Sequence, residues 1–507
     1  MSGAGVNLRA LLGEHAPNLE ARHMVEDSRT VERGDLFVAC RGAVHDGHDH
    51  AGDAVARGAV AVLAERDLPG LSVPVIVLPE LRSRRGTIAA AFYGQPSTTL
   101  HCVGVTGTNG KTSIAWYVAD LASRLGHRCG YLGTLGWGAP LSSHSGEPLS
   151  IHSGKPLSIH SGKPLALHPA RLTTEDAITV QRRLAALRDQ GCTWVALEAS
   201  SHALAQGRVD EVAFDVAAFT NLTRDHLDYH ESFEAYGAAK ARLFAWPTLK
   251  AAAINVDDPF GAQLAGRLDP AVAGLRIGVS TPGADVRWSG LAFDDQGAMG
   301  RWHTPWGEAD FRLPVHSEFS VTNVATAVAV LGQAGVALAD IVAAGATLAQ
   351  VPGRMEFFRA PGRPAVVVDF AHTPDALDKV LGSLRRHTRG ALICVFGCGG
   401  DRDAGKRPLM AAAAENHADV LWLTSDNPRS EDPERIIADM RAGLSGRRCV
   451  HASADRRDAI VRAIAGAGEQ DVVLVAGKGH EEYQEAGGRR VPFSDRALVA
   501  ELMEGAA

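Results

Sequence analysis

Short, unbroken apolar runs recur along the chain, and polar, glycine-rich segments follow them. Runs of strand length occur at 36–39, 59–64 and 73–78, then at 102–106, 193–197 and 215–219, and again at 365–368, 392–396, 420–423 and 472–476. Helical patterns such as 113–125 lie between them. Continuous rather than alternating apolar runs predict parallel strands buried on both faces, so the pattern predicts an α/β protein. The runs fall into three groups: a small α/β unit over 1–98, a central unit over 99–345 and a parallel-sheet unit over 346–507.

Each of the last four runs ends in unusual polar chemistry. The endings are Asp369-Phe-Ala-His372, Gly397-Cys-Gly-Gly-Asp-Arg-Asp403, Asp426-Asn-Pro-Arg429 and Gly477-Lys-Gly-His-Glu481. Ligands of open α/β sheets bind outside the carboxyl ends of the strands, so four such endings on one edge predict a binding site. Taken alone, Asp426–Arg429 also suits a plain turn. Between the first two strands of the central unit, a tandem octapeptide (His-Ser-Gly-Glu/Lys-Pro-Leu) repeats over 144–165; its Ser/Gly/Pro composition predicts a flexible or extended insertion.

Composition narrows the function. At 507 residues with 46% hydrophobic positions, the chain is long enough for about three cored domains. A net charge of −7 leaves no polyanion-binding footprint, so nucleic acid is not an expected partner. No apolar stretch reaches membrane-span length and the start lacks a signal-peptide core, so a cytoplasmic protein is expected. Seven scattered cysteines fit reduced thiols rather than a disulfide framework, with Cys394 and Cys398 expected as packed thiols. Only eight lysines stand against 43 arginines, so an individual lysine invites the question of what a guanidinium could not do in its place.

Gly107-Thr108-Asn109-Gly110-Lys111-Thr112-Ser113 lies between the strand at 102–106 and a helical stretch, the context of a phosphate-wrapping loop. There Lys111 would reach the β/γ-phosphates of ATP and Thr112 would ligate Mg²⁺. The strict motif needs glycine at 105, where this chain has Val105; its glycines are at 104 and 107. Glu198, at the tip of the strand at 193–197, is positioned to hold that metal or to cap a helix. Asp225, His226, Asp228 and His230 could complete a metal shell or simply open a polar helix. Lys240 sits in an otherwise apolar helical stretch, either snorkelling to the surface or needed for its primary amine. His45, Asp46, His48, Asp49 and His50 also resemble a metal cluster.

These motifs, with Asp27-Ser28-Arg29, Gly34-Asp-Leu-Phe37 and Glu198-Ala-Ser-Ser-His202, occur in an order that resembles the Mur ligase family over nearly the whole chain. The resemblance is to the members that add meso-2,6-diaminopimelate. It implies a uridine-nucleotide-binding N-terminal domain, a central P-loop ATPase and a C-terminal Rossmann-like domain for the incoming amino acid. It also implies a monomer that uses ATP and Mg²⁺ to extend UDP-N-acetylmuramoyl-L-alanyl-D-glutamate. Carried over by motif, the Gly107–Ser113 loop, Asn323, Arg354 and Asp369 would contact ATP, and Thr112, Glu198, His226 and Lys240, the last as a carbamate, would organise metal. Ser28, Ala43, Val44, His45, Thr173, Thr174, Ser200, Gln206 and Arg208 would contact the UDP-linked substrate. Arg402, Asp426, Asn427, Pro428, Arg429, Gly477 and Glu481 would form the diaminopimelate pocket, and the His45–His50 cluster would belong to the N-terminal substrate loop.

A guanidinium fork suits the distal carboxylate by which diaminopimelate differs from lysine. Three positions depart from the family pattern: Ser317 and Ser320 in the segment before Asn323, and Leu172 before the paired threonines. The implied reaction runs through an acyl phosphate. Its rivals are the lysine-adding homologue, folylpolyglutamate synthase, and a P-loop ATPase that works as a switch.

Overall fold

The computed structural model describes residues 5–42, 45–138 and 167–504. Three mainly parallel sheets succeed one another along the chain. The first, of four strands, runs Met24–Val25, Leu36–Ala39, Ala61–Ala64 and Val75–Val77, all parallel.

The central sheet has seven strands, with His101–Thr106 between Val216–Phe219 and Trp194–Glu198. Only the edge strand Gly136–Gly138 runs antiparallel. The continuous apolar runs are buried along their whole length, as their composition demands: 102–106, 194–198 and 216–219 show no exposed position. Helices Lys111–Arg124 and Glu318–Gln333 cover one face, and an independent cluster around Val195, Phe214 and Phe219 covers the other. Fully burying each Val, Leu or Phe contributes about 1.5–3 kcal/mol. The third sheet, Glu356–Phe358, Ala365–Asp369, Val472–Ala476, Leu392–Phe396, Val420–Thr424 and Cys449–Ser453, is parallel except for its first pair.

One region departs from the expected strand–helix alternation. Residues 287–313 form a three-stranded antiparallel sheet, Arg287–Asp294, Gly297–Thr304 and Gly307–Leu313. Trp288, Trp302 and Phe311 turn inward, Trp288 meeting Trp302 edge to face and Trp302 stacking on Phe311, while polar neighbours face solvent; a half-solvated sheet needs only that sparse apolar spacing.

The octapeptide tract, with Lys155 and Lys163, lies outside the described residues, as do Ala43 and Val44. Just beside the tract, Trp137 and His168 exchange two backbone hydrogen bonds of 2.9 and 2.8 Å and stack with ring centroids 4.6 Å apart. All seven cysteines are free, and Cys394 and Cys398 are packed thiols. No helix among the described residues is long and apolar enough to cross a membrane.

Candidate active site

The loop after His101–Thr106 is built around two glycines that the conventional motif does not predict. Gly104 lies in the strand, where an added Cβ would meet the Phe214 ring at 2.9 Å, and Gly107 turns the chain with φ +142° directly against Thr220. Val105 is simply core. Gly110, at φ +90°, opens helix Lys111–Arg124, and an added Cβ there would stand 2.8 Å from Asn323 Oδ1. Asn323 therefore lies against the loop, although the segment before it departs from the family pattern. Ser317 and Ser320 themselves make the helix cap: Ser317 Oγ accepts from the Ser320 amide at 3.2 Å.

A neighbouring loop clamps the turn. The Asn109 amide donates to Asn221 Oδ1 (3.0 Å), Asn221 Nδ2 donates to the Asn109 carbonyl (3.1 Å), and Thr108 exchanges bonds with Thr223. Lys111 Nζ donates to the carbonyls of Gly107 (3.0 Å) and Thr108 (2.9 Å). Lys240 Nζ reaches the same Gly107 carbonyl at 2.6 Å and lies 4.3 Å from the centroid of the Tyr236 ring. Lys240 is completely buried, so it does not snorkel. Burial first, and then the nearby Lys111 ammonium, hold its amine well below the usual lysine range. An arginine could not be held neutral in this way.

Gly107→Ala should be severe, because the new methyl would overlap Thr220 Oγ1 at a left-handed backbone position. We expect about 1–3 kcal/mol of destabilisation, read as a lower Tm, and a raised KM for ATP. Thr220 Oγ1 is buried with no hydrogen-bond partner among the described residues, so adding Thr220→Ala should recover part of the loss.

Glu198 is completely buried, and its carboxylate is held on several sides. Tyr131 OH (2.6 Å) and the Thr134 amide (2.8 Å) donate to Oε1, while the hydroxyls of Thr112 (2.9 Å) and Thr134 (3.1 Å) reach Oε2. It is not a helix cap. A single carboxylate flanked by hydroxyls beside a phosphate loop fits Mg²⁺, which takes one or two protein carboxylates and completes its shell with water and phosphate oxygens.

No group of three or more His, Cys, Asp or Glu among the described residues is gathered to hold a metal by itself. Of the expected metal residues, Thr112 bonds Glu198 directly and His226 lies 3.5 Å from Asp225. The His226 ring lies 6.1 Å from that of Tyr236, over which Lys240 sits. Burial opposes ionisation of Asp225, but His226 and His372 outweigh it and hold the carboxyl below its usual range. In the N-terminal unit, His48 pairs with Asp46 and accepts from the Glu65 amide, which makes it a loop brace.

The residues of the central unit expected to meet the UDP-linked substrate form one network. Thr174 Oγ1 donates to the Glu198 carbonyl and accepts from the Ser200 amide; Arg208 joins the Thr174 carbonyl (2.8 Å) to Gln206 Oε1 (2.9 Å); and Thr134 Oγ1 bonds Thr173 Oγ1 (3.1 Å). Ser28 stands apart in the first unit, beside a recess it shares with Arg29, Asp53, Ala56 and Arg57. Arg171 bridges the two units through Asp27 at 2.7 Å. His45 is exposed, and Leu172 is 48% exposed.

In the third unit, Arg402 and Arg429 converge on Gly399: an added Cβ there would lie 2.9 Å from Arg429 Nη1 and 3.8 Å from Arg402 Cγ. Arg429 Nη1 donates to the Gly400 carbonyl at 2.6 Å. Asn427 Nδ2 donates to Glu481 Oε2 (2.9 Å), and the buried Lys478 donates to both Asn427 Oδ1 (3.1 Å) and Glu481 Oε2 (2.8 Å). An added Cβ on Gly477 would stand 2.6 Å from Asp426 Oδ2. The backbone of Pro428 contributes as well, since Glu431 donates its amide to the Pro428 carbonyl at 3.0 Å.

Arg354 joins this pocket to the phosphate loop. Its guanidinium lies 4.1 Å from the Phe370 ring centroid and 3.4 Å from Thr112 Oγ1, within electrostatic reach of Asp369, Glu198 and Glu481. Asp369 accepts the Met355 and Ala371 amides, both at 2.7 Å, fixing the turn that carries Arg354. His226, Met355, Asp401 and Arg429 all have positive φ, a costly backbone state that concentrates at functional sites.

Family models match 21–93 (Mur ligase family, catalytic domain), 105–331 (Mur ligase middle domain) and 353–479 (Mur ligase, glutamate ligase domain). The chain belongs to the Mur ligase family. Curated relatives named UDP-N-acetylmuramoyl-L-alanyl-D-glutamate--2,6-diaminopimelate ligase include those of Ectopseudomonas mendocina and Alkalilimnicola ehrlichii. The first is 46% identical and the match covers 96% of each chain; the second is 48% identical, covering 94% of this chain and 93% of the relative. A solved structure of a ligase of that name is 36% identical, covers 99% of both chains and superposes with a TM-score of 0.66. The MurF ligase of Thermotoga maritima in complex with ADP, at 19% identity, covers 96% of this chain and 99% of that one with a TM-score of 0.68, and shares the Mur ligase fold.

Within this Mur ligase frame, the motif reading overlooked the residues that hold the named ones: Asn221 and Thr223 under the phosphate loop, Tyr131 and Thr134 around Glu198, and Lys478 in the third unit. Lysine scarcity was a signal for Lys478. The others are ordinary polar residues with no local signature.

Proposed function

We propose that this chain is an ATP-dependent amide ligase that adds meso-2,6-diaminopimelate to UDP-N-acetylmuramoyl-L-alanyl-D-glutamate. The observation that carries the reading is the pair Arg402 and Arg429 at Gly399, joined through Arg354 to a phosphate loop. The names of the full-length relatives support it. In this reading the units 1–98, 99–345 and 346–507 receive the uridine nucleotide, ATP and the amino acid, in a cytoplasmic monomer.

Lys111 leaves its carbonyl partners to hold the β/γ-phosphates while Arg354 balances charge on the transferring group. Mg²⁺, held by Thr112 and Glu198, would neutralise phosphate charge. The D-glutamyl side-chain carboxylate attacks the γ-phosphorus; the bond to the β,γ-bridging oxygen breaks and ADP departs, leaving an acyl phosphate. The diaminopimelate amine then attacks the carbonyl carbon. Inorganic phosphate leaves with the C–O electron pair, and the nitrogen loses a proton. Arg402 and Arg429 hold the distal carboxylate, and Glu481 and Asn427 face the amino-acid head. Lys240, its amine held well below the usual lysine range, adds CO₂ at Nζ with loss of a proton, becoming an anion where lysine alone among basic residues could.

ADP release is expected to require both the UDP-linked dipeptide and an amino acid. The kcat/KM for meso-diaminopimelate should exceed that for L-lysine by about 100-fold or more, because lysine has no distal carboxylate to pair with the guanidinium fork of the half-buried Arg429. A better rate with L-lysine defeats the reading, and ADP release without any amino acid would indicate a switch.

A further inference from the structure

The geometry points to the buried pair Arg456–Asp495 as the positioning device of the amino-acid pocket, a role that rests on the ligase reading above. Both side chains are fully buried, so neither can touch substrate. Arg456 Nε and Nη2 grip the two oxygens of Asp495 at 2.8 and 2.7 Å. The remaining donors go elsewhere: Nη1 to the Ser425 carbonyl at 3.2 Å and Nη2 to the Ala476 carbonyl at 2.9 Å.

Those two carbonyls immediately precede Asp426–Arg429 and Gly477–Glu481, the loops that carry the pocket. The loops leave strands Val420–Thr424 and Val472–Ala476, which are not hydrogen-bonded to one another; Leu392–Phe396 lies between them. The sheet alone therefore does not set the distance between the two loops at their tips. One planar guanidinium spans that gap at the base of the two loops, beneath the Asn427–Glu481 and Lys478–Asn427 bonds that join them farther out.

Asp495, which begins helix Asp495–Glu504, fixes the guanidinium and also closes the excursion that starts after Ala476. Within that excursion, Gln484 donates to the Asp426 carbonyl (2.8 Å), Glu485 donates its amide to Asn427 Oδ1 (2.9 Å) and Arg429 donates its amide to the Glu485 carbonyl (2.9 Å). Arg456 thus staples the base of a strap whose middle braces Asn427 and Arg429. A buried ion pair is weak grounds for stability, since apolar replacements of similar volume are often neutral. Its worth here lies in where its four bonds end.

The test uses the full-length enzyme and three variants: Asp495→Asn, Arg456→Lys, and the apolar double variant Arg456→Met/Asp495→Leu. Steady-state kinetics are measured for all three substrates alongside Tm. The KM for the amino acid should rise about 10–100-fold, because small misplacements of binding groups carry costs of that size. The KM values for ATP and the UDP-linked dipeptide should stay within about twofold. The double variant is decisive, since it fills the site with apolar side chains but loses every bond to Ser425 and Ala476. A folded double variant with an unchanged amino-acid KM overturns the proposal. So does failure of all three variants to fold, which would make the pair a determinant of the domain itself. Wild-type turnover with meso-diaminopimelate is measured first; if another amino acid proves to be the acceptor, the same comparison is made with it, so the two readings fail separately.

Discussion

Replacing Lys240 with alanine is expected to reduce turnover by about 10²–10³-fold or more, the scale for losing one preorganised electrostatic group. The side chain is buried with no carboxylate hydrogen-bonded to it among the described residues, bonds the Gly107 carbonyl at 2.6 Å, and has its amine held well below the usual lysine range by burial and by Lys111. A neutral amine attacks CO₂, whereas an ammonium cannot. The carbamate would place a negative charge beneath the phosphate loop, close to the Lys111 ammonium that shares the Gly107 carbonyl. Lys240→Met keeps the volume and removes the amine, so it should retain the fold, with Tm equal or higher, and still be inactive. Short carboxylic acids added to the alanine variant should restore part of the rate. The intact mass of the wild-type chain in bicarbonate should show one added CO₂, absent from both variants. An active Lys240→Met enzyme rules the assignment out.

Arg429→Ala should lose about 100-fold or more in kcat/KM for meso-diaminopimelate while changing that for L-lysine little, so that discrimination between them collapses. The fork is held at one end by the Gly400 carbonyl, and its backbone is held at φ +53° by bonds to Glu485 and Gly487. Arg429→Lys keeps the charge but not the bidentate geometry, and should recover only part of the preference. The KM for ATP serves as the control and should not move. Parallel ADP-release assays with the two amino acids give the answer; preserved discrimination in the alanine variant means another group reads the carboxylate.

Much of this architecture could be read from the chain. Continuous apolar runs become parallel strands because burial on both faces leaves no room for alternation, and 392–396 and 472–476 are strands to the residue. Polar strand endings gather together because the carboxyl edges of parallel strands in one sheet open onto one side. The three-stranded sheet at 287–313 escaped because it buries one face only, through three aromatic residues set among polar ones. Residues with rare chemistry, such as Lys111, Lys240 and the paired arginines, announce themselves locally. Those that hold them do not: Asn221 acts on Asn109, and Tyr131 on Glu198, across long stretches of sequence, so only the folded sheet reveals them.

The Trp137–His168 bridge bears on how this gene tolerates copying errors. The double backbone bond and ring stack close the sheet edge just where the octapeptide tract departs and returns. The entropy of closing an excursion grows with the logarithm of its length, so one repeat unit more or fewer shifts the balance by about 0.2 kcal/mol. A variant one repeat unit shorter is therefore expected to keep the kcat/KM of the parent chain, because in sequence the suture lies between the tract and Thr173.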